Sequence, residues 1–388
     1  MRNSFRIWDA DTHVRPTAET IQEFLSPPMR ERFSDAKYWT QRRVGMAGEV
    51  YDEPLRHYYR LREGGGGEGW GSRAPRRLGE AGPRPNEERQ FQTFMGSRFP
   101  TDGGGDDRGD IRLHDMDEEG TDVHTIVHSG ANGHPELEVE AAFMRAEHRY
   151  IDAFCSADPH RLKSLIVVTP RQMDQSVQQI HEWGKSPWAV GVIPSLPLDY
   201  PIDHPDMDAI WQATQEEGLT VVHHSFAAGY PGYRDLWDNP FLGRTASHPW
   251  AAQRAVAAFV GSGIMDRFPE LKFCILESGF GWLPSWAARM DDQQIYMGYV
   301  AEGLKHKPSE YLTNGRFFAG IVLNEGEPMV RMVTEHMGDG ILMFGSDYPH
   351  AESRFPESTH QALSWESINS AQMKQMLYDN AVRCFGEP

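Results

Sequence analysis

Cysteine, long apolar runs and basic charge are all scarce in this chain of 388 residues, and each scarcity excludes a class of protein. Only Cys155, Cys274 and Cys384 are present, too few and too scattered for a disulfide framework, which favours a reducing cytoplasm. No apolar run is long enough to span a membrane, and the first residues lack a signal-peptide core. The net charge of −18 opposes a nucleic-acid surface. We therefore expect a cytoplasmic protein that binds neither membranes nor nucleic acid.

Two acids and a histidine follow an apolar start in residues 7–13, where Asp9, Asp11 and His13 occupy alternate positions. Side chains two residues apart share one face of a strand, so the pattern predicts that all three point the same way. A carboxylate beside an imidazole is a common start to a divalent-metal site, although a hydrogen-bonded polar strand end is the alternative. A second apolar strand that finishes in an aspartate, residues 341–347, favours the metal site.

Short apolar runs, which we interpret as strands, alternate with helical patterns from residue 111 onward. Together with the first strand, these runs give about eight strands. Continuous apolar runs are typical of parallel strands buried on both faces, and the alternation predicts an α/β fold of the (β/α)8 TIM-barrel type. Polar groups collect where these strands end, at Asp11, His128, His224, Glu277 and Asp347. A barrel places its active site at that end, so we expect a shared site there.

The candidate metal ligands come from the first, fifth and eighth strands: Asp11, His13, His224 and Asp347. The first and eighth strands of a barrel are neighbours, so their ends lie close together. His223 and His224 point to opposite faces of the fifth strand, because side chains alternate. We favour His224 as the ligand, since it lies later on the strand and nearer the loop.

Other strand-end residues have more than one interpretation. Glu277 is a candidate metal ligand, a candidate base for water, or an acid that holds a neighbouring side chain. His350 is a candidate proton donor or acceptor above the metal, with an ordinary loop histidine as the alternative. Arg15 and His128 are weaker candidates for substrate contact, and each has a structural role as its alternative.

Residues 37–110 differ in composition from the rest of the chain. They are rich in arginine, glycine and glutamate, with glycine runs at 64–67 and 103–105. We interpret them as an insertion after the first strand of one domain that spans residues 1–388. Long loops in compact domains are usually functional or disordered, so the insertion is expected to be a lid, a subunit contact or a disordered segment.

Motifs outside the insertion resemble the amidohydrolase superfamily, family 2, around aminocarboxymuconate-semialdehyde decarboxylase. They are DADTH at 9–13, DMDEEGTD at 115–122, DPHRL at 158–162, DRFPELK at 266–272, PSEYL at 308–312, GSDYPH at 345–350 and NAVR at 380–383. The resemblance implies a TIM barrel that acts on a small molecule with one divalent ion, Zn²⁺ first and Mn²⁺ second. It implies metal ligands at Asp11, His13, His224 and Asp347, and a homodimer as the expected assembly.

The resemblance breaks at Glu277, where decarboxylases of the family have a histidine that handles water or protons. Asp11, Glu277 and Asp347 would bring three negative charges to one ion. A carboxylate substrate would then meet a repulsion of about 4 kcal/mol at about 4 Å and an effective dielectric near 20. The sequence therefore favours hydrolysis of a small amide, ester or lactone, including aromatic ones, by metal-activated water. Asp347 would orient or deprotonate the water, and Glu277 or His350 would complete the proton transfer.

Two alternatives stay open at this point. The first is non-oxidative decarboxylation of an aromatic carboxylate, which needs an arginine such as Arg15 near the ion. The second is a catalytically degenerate barrel that binds a ligand or a partner through the insertion.

Overall fold

Eight parallel strands form one sheet that curls into a nearly closed barrel. The computed structural model describes residues 4–14, 16, 18–33, 40–44, 50–54, 108–128, 136–197, 200–224, 240–298, 303–350 and 353–388. Their strands are β1 (Trp8–His13), β2 (Thr40–Val44), β3 (Val50–Pro54), β4 (Val123–Val127), β5 (Leu162–Val168), β6 (Ala189–Pro194), β7 (Thr220–His224), β8 (Lys272–Leu276), β9 (Phe317–Gly320) and β10 (Leu342–Met343). The barrel order is β1-β4-β5-β6-β7-β8-β9-β10, which confirms the predicted (β/α)8 fold.

Helices fill the connections between these strands. They are α1 (Ala18–Phe24), α2 (Pro27–Phe33), α3 (Gly109–Glu119), α4 (Leu137–Cys155), α5 (Met173–Trp183), α6 (Asp208–Glu216), α7 (Pro240–Gly261), α8 (Ile264–Arg267), α9 (Leu283–Met297), α10 (Pro308–Thr313), α11 (Gly326–Met337), α12 (Ser358–Leu363), α13 (Ser370–Lys374) and α14 (Asn380–Phe385). Among the described residues, no helix combines the length and the apolar character that crossing a bilayer requires.

Backbone hydrogen bonds bring the two ends of the chain together at the barrel seam. The amide of Ala10 donates to the carbonyl of Phe344 at 2.9 Å, and the amide of Asp347 donates to the carbonyl of Asp11 at 2.9 Å. Of the strand predicted over 341–347, only Leu342–Met343 (β10) is regular, but the residues that follow it still run beside β1. This pairing places Asp347 next to Asp11.

The described apolar side chains form two layers around the strands. An outer layer lies between the strands and the helices, and a smaller inner layer fills the barrel. Near the amino-terminal end of β1, the ring of Trp8 lies 6.1 Å from Tyr378 and 5.9 Å from Phe385 of the C-terminal helical region. Aromatic side chains therefore cover Trp8 at this end, while the polar side chains predicted from the sequence lie at the carboxyl ends of the strands.

Three elements differ from what the sequence pattern predicts. The pattern predicts a helix over 249–262 with Ser247 as its N-cap, but helix α7 begins at Pro240 and contains Pro249. It also predicts one closing helix over 370–385, which is interrupted by a π-helical turn at Gln375–Asp379. Within the proposed insertion, β2 and β3 form an antiparallel pair, and most of residues 37–110 lie outside the described residues.

Candidate metal centre

The alternation of β7 directs its two histidines to opposite sides. Val222 belongs to the inner layer of the barrel and Val221 to the outer layer. His224, in phase with Val222, brings its Nε2 to 3.4 Å from Asp11 Oδ1 and 3.1 Å from Glu277 Oε2. His223 lies on the outer face, where burial lowers the pKa of its imidazole to about 3.

An irregularity in β1 separates Asp9 from Asp11. The register with β4 shifts between Asp9 and Thr12, so side chains two apart no longer share a face there. Asp9 Oδ1 accepts the amides of Asp11 at 3.2 Å and Ser346 at 3.0 Å, and burial raises the pKa of this carboxyl to about 7. The prediction that Asp9 points the same way as Asp11 and His13 is therefore wrong, because the strand is not regular.

Six side chains from four strand ends meet at the carboxyl end of the barrel strands, and we call them the acid–histidine group: Asp11, His13, His224, Glu277, Asp347 and His350. His13 Nε2 lies 2.9 Å from Asp347 Oδ1, 3.4 Å from Asp11 Oδ1 and 3.7 Å from Glu277 Oε2. Two subsets have donor atoms that all lie within 4.8 Å of one another. Three of the predicted ligands, Asp11, His13 and His224, form one subset, and Asp347 joins His13 in the other.

The orientation of His13 fits metal binding. Its Nδ1 lies 3.0 Å from the carbonyl of Val127, and an N–H there would donate to that oxygen and leave Nε2 with a lone pair. This Nε2 and Asp11 Oδ1 are buried, and neither forms a hydrogen bond with the residues that the structure describes. Buried polar atoms rarely stay unsatisfied, and an imidazole nitrogen with carboxylate oxygens is a donor set that divalent ions accept.

Electrostatics also favour a cation in this group. Burial favours neutral His224, but the carboxylates of Asp11 and Glu277 outweigh it and raise the pKa of this imidazole to about 10. Burial likewise favours neutral Asp11, yet His224 and His13 hold the pKa of this carboxyl below its usual value. The field at the group is therefore strongly negative.

Two acids of the group have an unusual backbone. Glu277 has φ 45° and Asp347 has φ 61°, both in the left-handed region that L-residues rarely adopt. Such conformations cost about 1–3 kcal/mol and persist at functional sites where the surroundings enforce them. The left-handed backbone, as well as the strand that precedes each acid, therefore sets the direction of both side chains.

His350 lies on the outer side of the group. Its ring stacks on that of His13 with centroids 4.1 Å apart and an interplanar angle of 13°. Its Nδ1 lies 2.5 Å from Asp347 Oδ1, and its side chain is 18% exposed against 11% for Asp347. It is therefore placed to exchange protons between Asp347 and the barrel mouth.

Of the two predicted substrate contacts, Arg15 lies outside the described residues, and His128 lies apart from the acid–histidine group. His128 follows the outward phase of Ile126, with its Nε2 2.8 Å from the carbonyl of Leu165 and its Nδ1 3.8 Å from Glu147. The surroundings of His128 are those of a buried residue between a strand and helix α4.

Sequence reasoning missed a buried arginine behind the group. The guanidinium of Arg112 donates to the carbonyl of His13 and lies 4.6 Å above the Tyr348 ring. The signal was present, because Arg112, Asp115 and Glu119 share the buried stripe of α3 with Met116. Charged residues at the spacing of a buried helix face indicate an internal polar network.

Comparison with known proteins identifies the family. The model of the amidohydrolase family matches residues 8–386, and comparison with curated proteins gives no significant match. An amidohydrolase structure from Mycobacterium avium subsp. paratuberculosis K-10 has a TM-score of 0.71 at 16% identity, covering 99% of this chain and 98% of that one. The 5-carboxyvanillate decarboxylase structure from Sphingomonas paucimobilis has a TM-score of 0.66 at 20% identity, covering 99% and 100%.

A further structure adds a ligand. The 5-carboxyvanillate decarboxylase from Novosphingobium aromaticivorans DSM 12444, complexed with manganese and 4-hydroxy-3-methoxy-5-nitrobenzoic acid, has a TM-score of 0.69 at 16% identity, covering 99% of this chain and 97% of that one. At these identities the structural likeness shows the shared barrel fold. The family model spans nearly the whole chain, so this protein belongs to the amidohydrolase family of metal-dependent hydrolases and carboxy-lyases and is an enzyme.

Proposed function

We propose that this enzyme hydrolyses a small, neutral amide, ester or lactone with the help of one divalent ion. The observation that carries the proposal is the meeting of three carboxylates, those of Asp11, Glu277 and Asp347, around two histidines. Three carboxylates around one doubly charged ion leave one net negative charge. A carboxylate substrate would be repelled by about 4 kcal/mol at about 4 Å and an effective dielectric near 20, whereas a neutral carbonyl compound would not.

The residues that would hold the ion are Asp11, His13 and His224, whose donors form one subset, together with Asp347, whose Oδ1 lies 2.9 Å from His13 Nε2. When bound, such an ion acts as a Lewis acid and makes water nucleophilic near neutral pH. Zn²⁺ and Mn²⁺ both accept imidazole and carboxylate donors. The manganese complex of a structural neighbour supports Mn²⁺ over the Zn²⁺ favoured from the sequence.

Asp347 and His350 carry the proton in the proposed reaction. Water adds to the carbonyl carbon while its proton passes to Asp347, whose Oδ1 lies 2.5 Å from His350 Nδ1. Asp347 passes this proton to His350, which delivers it to the leaving nitrogen or oxygen as its bond to the carbonyl carbon breaks. Of the two proton carriers proposed from the sequence, His350 fits better, because it lies nearer the solvent than Glu277.

Non-oxidative decarboxylation is the second candidate. Structures of two 5-carboxyvanillate decarboxylases match nearly the full length of this chain. This reaction needs a positive group that offsets the three carboxylates, and Arg15 is the candidate from the sequence. We rank it below hydrolysis because of the charge of the acid–histidine group.

Product analysis tests both candidates. Metal-depleted protein is reloaded with Mn²⁺ or Zn²⁺ and incubated with neutral aryl esters, amides and lactones, and separately with hydroxybenzoic acids. We expect metal-dependent acid release without CO₂, and a loss of about 10³-fold or more in kcat/KM for Asp347→Asn. Asp379→Asn is the control, since Asp379 pairs with Lys374 on the surface. Release of CO₂ without hydrolysis would select decarboxylation, and full turnover by metal-depleted protein would refute both.

Assembly and location also stay predictions. The family resemblance predicts a homodimer, and the scarcity of cysteine favours the cytoplasm. Residues 37–110 are expected to form a lid, a subunit contact or a disordered segment. Light scattering of the full chain measures the oligomeric state directly.

A further inference from the structure

We propose that Glu277 binds the divalent ion directly as a fifth ligand and that Glu325 holds it in place. The inference rests on the proposed function only in requiring the divalent ion. It assigns Glu277 the coordination role that the sequence left open. The distances within the group, the backbone of Glu277 and the contacts of the turn that follows it each support this assignment.

Distances within the group place Glu277 where a ligand belongs. Two donors bound at about 2.1 Å lie about 3.0 Å apart when adjacent and about 4.2 Å apart when opposite in an octahedral site. Glu277 Oε2 lies 3.1 Å from His224 Nε2 and 3.7 Å from His13 Nε2. Asp11 Oδ1, at 3.4 Å from each of the same nitrogens, has an equivalent position. Glu277 Oε2 thus lies at ligand-like distances from the same two imidazoles as Asp11 Oδ1, and the donor atoms of His13, Glu277 and Asp347 all lie within 4.8 Å of one another.

His350 does not share this position. Its Nδ1 lies only 2.5 Å from Asp347 Oδ1, which is a hydrogen-bond separation and shorter than two ligands of one ion adopt. It lies 3.9 Å from Glu277 Oε2. His350 thus remains a proton carrier, and Glu277 belongs with the ligands.

The backbone turns Glu277 toward the group against the alternation of its strand. Phe273 and Ile275 face the outer layer, while Cys274 and Leu276 face the barrel interior. Regular alternation would direct residue 277 outward. The left-handed φ of 45° reverses this direction, so the carboxylate reaches the histidines. A residue held in this region costs about 1–2 kcal/mol, so other contacts must enforce it.

Glu325 supplies those contacts from the loop between β9 and α11. Its Oε2 accepts the amides of Phe280 at 3.1 Å and Gly281 at 2.7 Å. A Cβ at Gly279, whose φ is +68°, would collide with the other oxygen of this carboxylate. The indole of Trp282 also donates to the carbonyl of Ser278 at 3.0 Å. Glu325 is therefore a positioning residue that fixes the turn after Glu277.

Coordination by Glu277 would affect which divalent ion the site prefers. Five ligands, three carboxylate oxygens and two imidazole nitrogens, suit an ion that accepts five or six mainly oxygen donors, as Mn²⁺ does. Zn²⁺ prefers four donors that include nitrogen or sulfur. Glu277 therefore shifts the preference of the site from Zn²⁺ toward Mn²⁺.

Calorimetric Mn²⁺ titration of the metal-depleted full chain tests the assignment without using turnover. We expect one Mn²⁺ per wild-type chain, with binding weakened about 100-fold in Glu277→Gln and about 10-fold in Glu325→Gln. Glu327→Gln is the matched control, because Glu327 accepts the amide of Ser367 instead, and it should bind as wild type does. Circular dichroism verifies that each variant is folded. The Mn²⁺ electron paramagnetic resonance spectrum should change in Glu277→Gln, because that variant loses a ligand of the ion.

A histidine variant tests metal choice. Glu277→His keeps a donor at this position, so it should bind tightly but shift the ratio of Zn²⁺ to Mn²⁺ affinity at least 10-fold toward Zn²⁺. An unchanged ratio, or Mn²⁺ binding by Glu277→Gln within about 3-fold of wild type, would overturn this inference and leave the proposed hydrolase intact. A wild-type chain that binds no divalent ion would overturn both.

Discussion

A single buried arginine links the two chain segments that carry Asp11, His13 and Asp347. Arg112 is fully buried, donates to the carbonyl of His13 and stacks on Tyr348. The hydroxyl of Tyr348 donates in turn to Asp115, one turn along the helix from Arg112. Burial raises the pKa of Asp115 above its usual value, although Tyr348 and Arg112 oppose this shift. The network fixes the end of β1 relative to the segment after β10.

Arg112→Met is expected to lower the free energy of unfolding by about 3–5 kcal/mol, because it leaves the buried carboxyl of Asp115 without the nearby positive charge of the guanidinium. Arg108→Met is the control near the same helix, since Arg108 forms an exposed pair with Asp110 that contributes less than about 1 kcal/mol. Urea denaturation of both variants measures the difference. Equal losses would show that the buried network contributes nothing beyond a surface pair.

Residue-level prediction from the sequence worked where strands are regular and failed where they are not. Strand alternation separated His223 from His224, and the choice of His224, made from its later position on β7, agrees with the place of Val222 in the inner layer. The same logic misplaced Asp9, since a register shift in β1 leaves no trace in composition. It would also have directed Glu277 outward, because no sequence rule anticipates a left-handed glutamate.

At the scale of elements, the order of helices and strands was predictable because each apolar run is short and bounded. Helix α6 ends before Gly218, and β7 follows at Thr220, so a single positive-φ glycine starts the connection. The boundaries that failed involve Pro249, which lies inside α7, and the strand before Asp347, which has only two regular residues. Tertiary packing overrides local signals at such positions.

Gly218→Ala isolates the energy of backbone conformation. Gly218 has φ +70° with no neighbouring atom within 4 Å of an added Cβ, so the substitution should destabilise by about 1–2 kcal/mol through strain alone. Gly261→Ala is the matched variant, because Gly261 ends α7 with similar open space and no positive φ, and it should stabilise by about 0.4–1 kcal/mol. Thermal denaturation should therefore show melting temperatures that move in opposite directions. A shift in the same direction would refute the strain interpretation.

At the scale of the whole molecule, barrel closure explains why residues from opposite chain ends share one site. The amide of Ser346 reaches the carboxylate of Asp9, 337 positions away in sequence. Closure was predictable from the strand count, because strands one and eight of such a barrel are neighbours. The direction of each acidic side chain was not predictable, since it depends on the register shift in β1 and on the left-handed backbone of Glu277 and Asp347. The fold thus brings the acids together, and local strain orients them.

Buried neutral histidines give the folded chain a dependence on acid. His148 of α4 accepts the amide of Val167 at 3.0 Å, and its other ring nitrogen lies 2.7 Å from the side-chain oxygen of Gln179. Burial, supported by the positive charge of Arg149, lowers the pKa of His148 to about 3. His124 is buried as well, and burial lowers the pKa of its imidazole well below the usual value. Protonation of His148 would remove the acceptor that satisfies the Val167 amide.

Stability is therefore expected to fall as pH drops below about 6.5. Above that pH His148 is neutral in both states, whereas between 6.5 and about 3 the unfolded chain takes up a proton that the folded chain refuses. His148 alone then contributes a loss of about 1.4 kcal/mol per pH unit over most of that range. Urea unfolding of wild type and His148→Gln from pH 8 to 4.5 measures this slope. The slope of the unfolding free energy against pH should be smaller in the variant by the contribution of about one proton, since glutamine does not titrate. Carboxylates affect both proteins alike, so parallel pH profiles would mean that His148 is not held neutral by the fold.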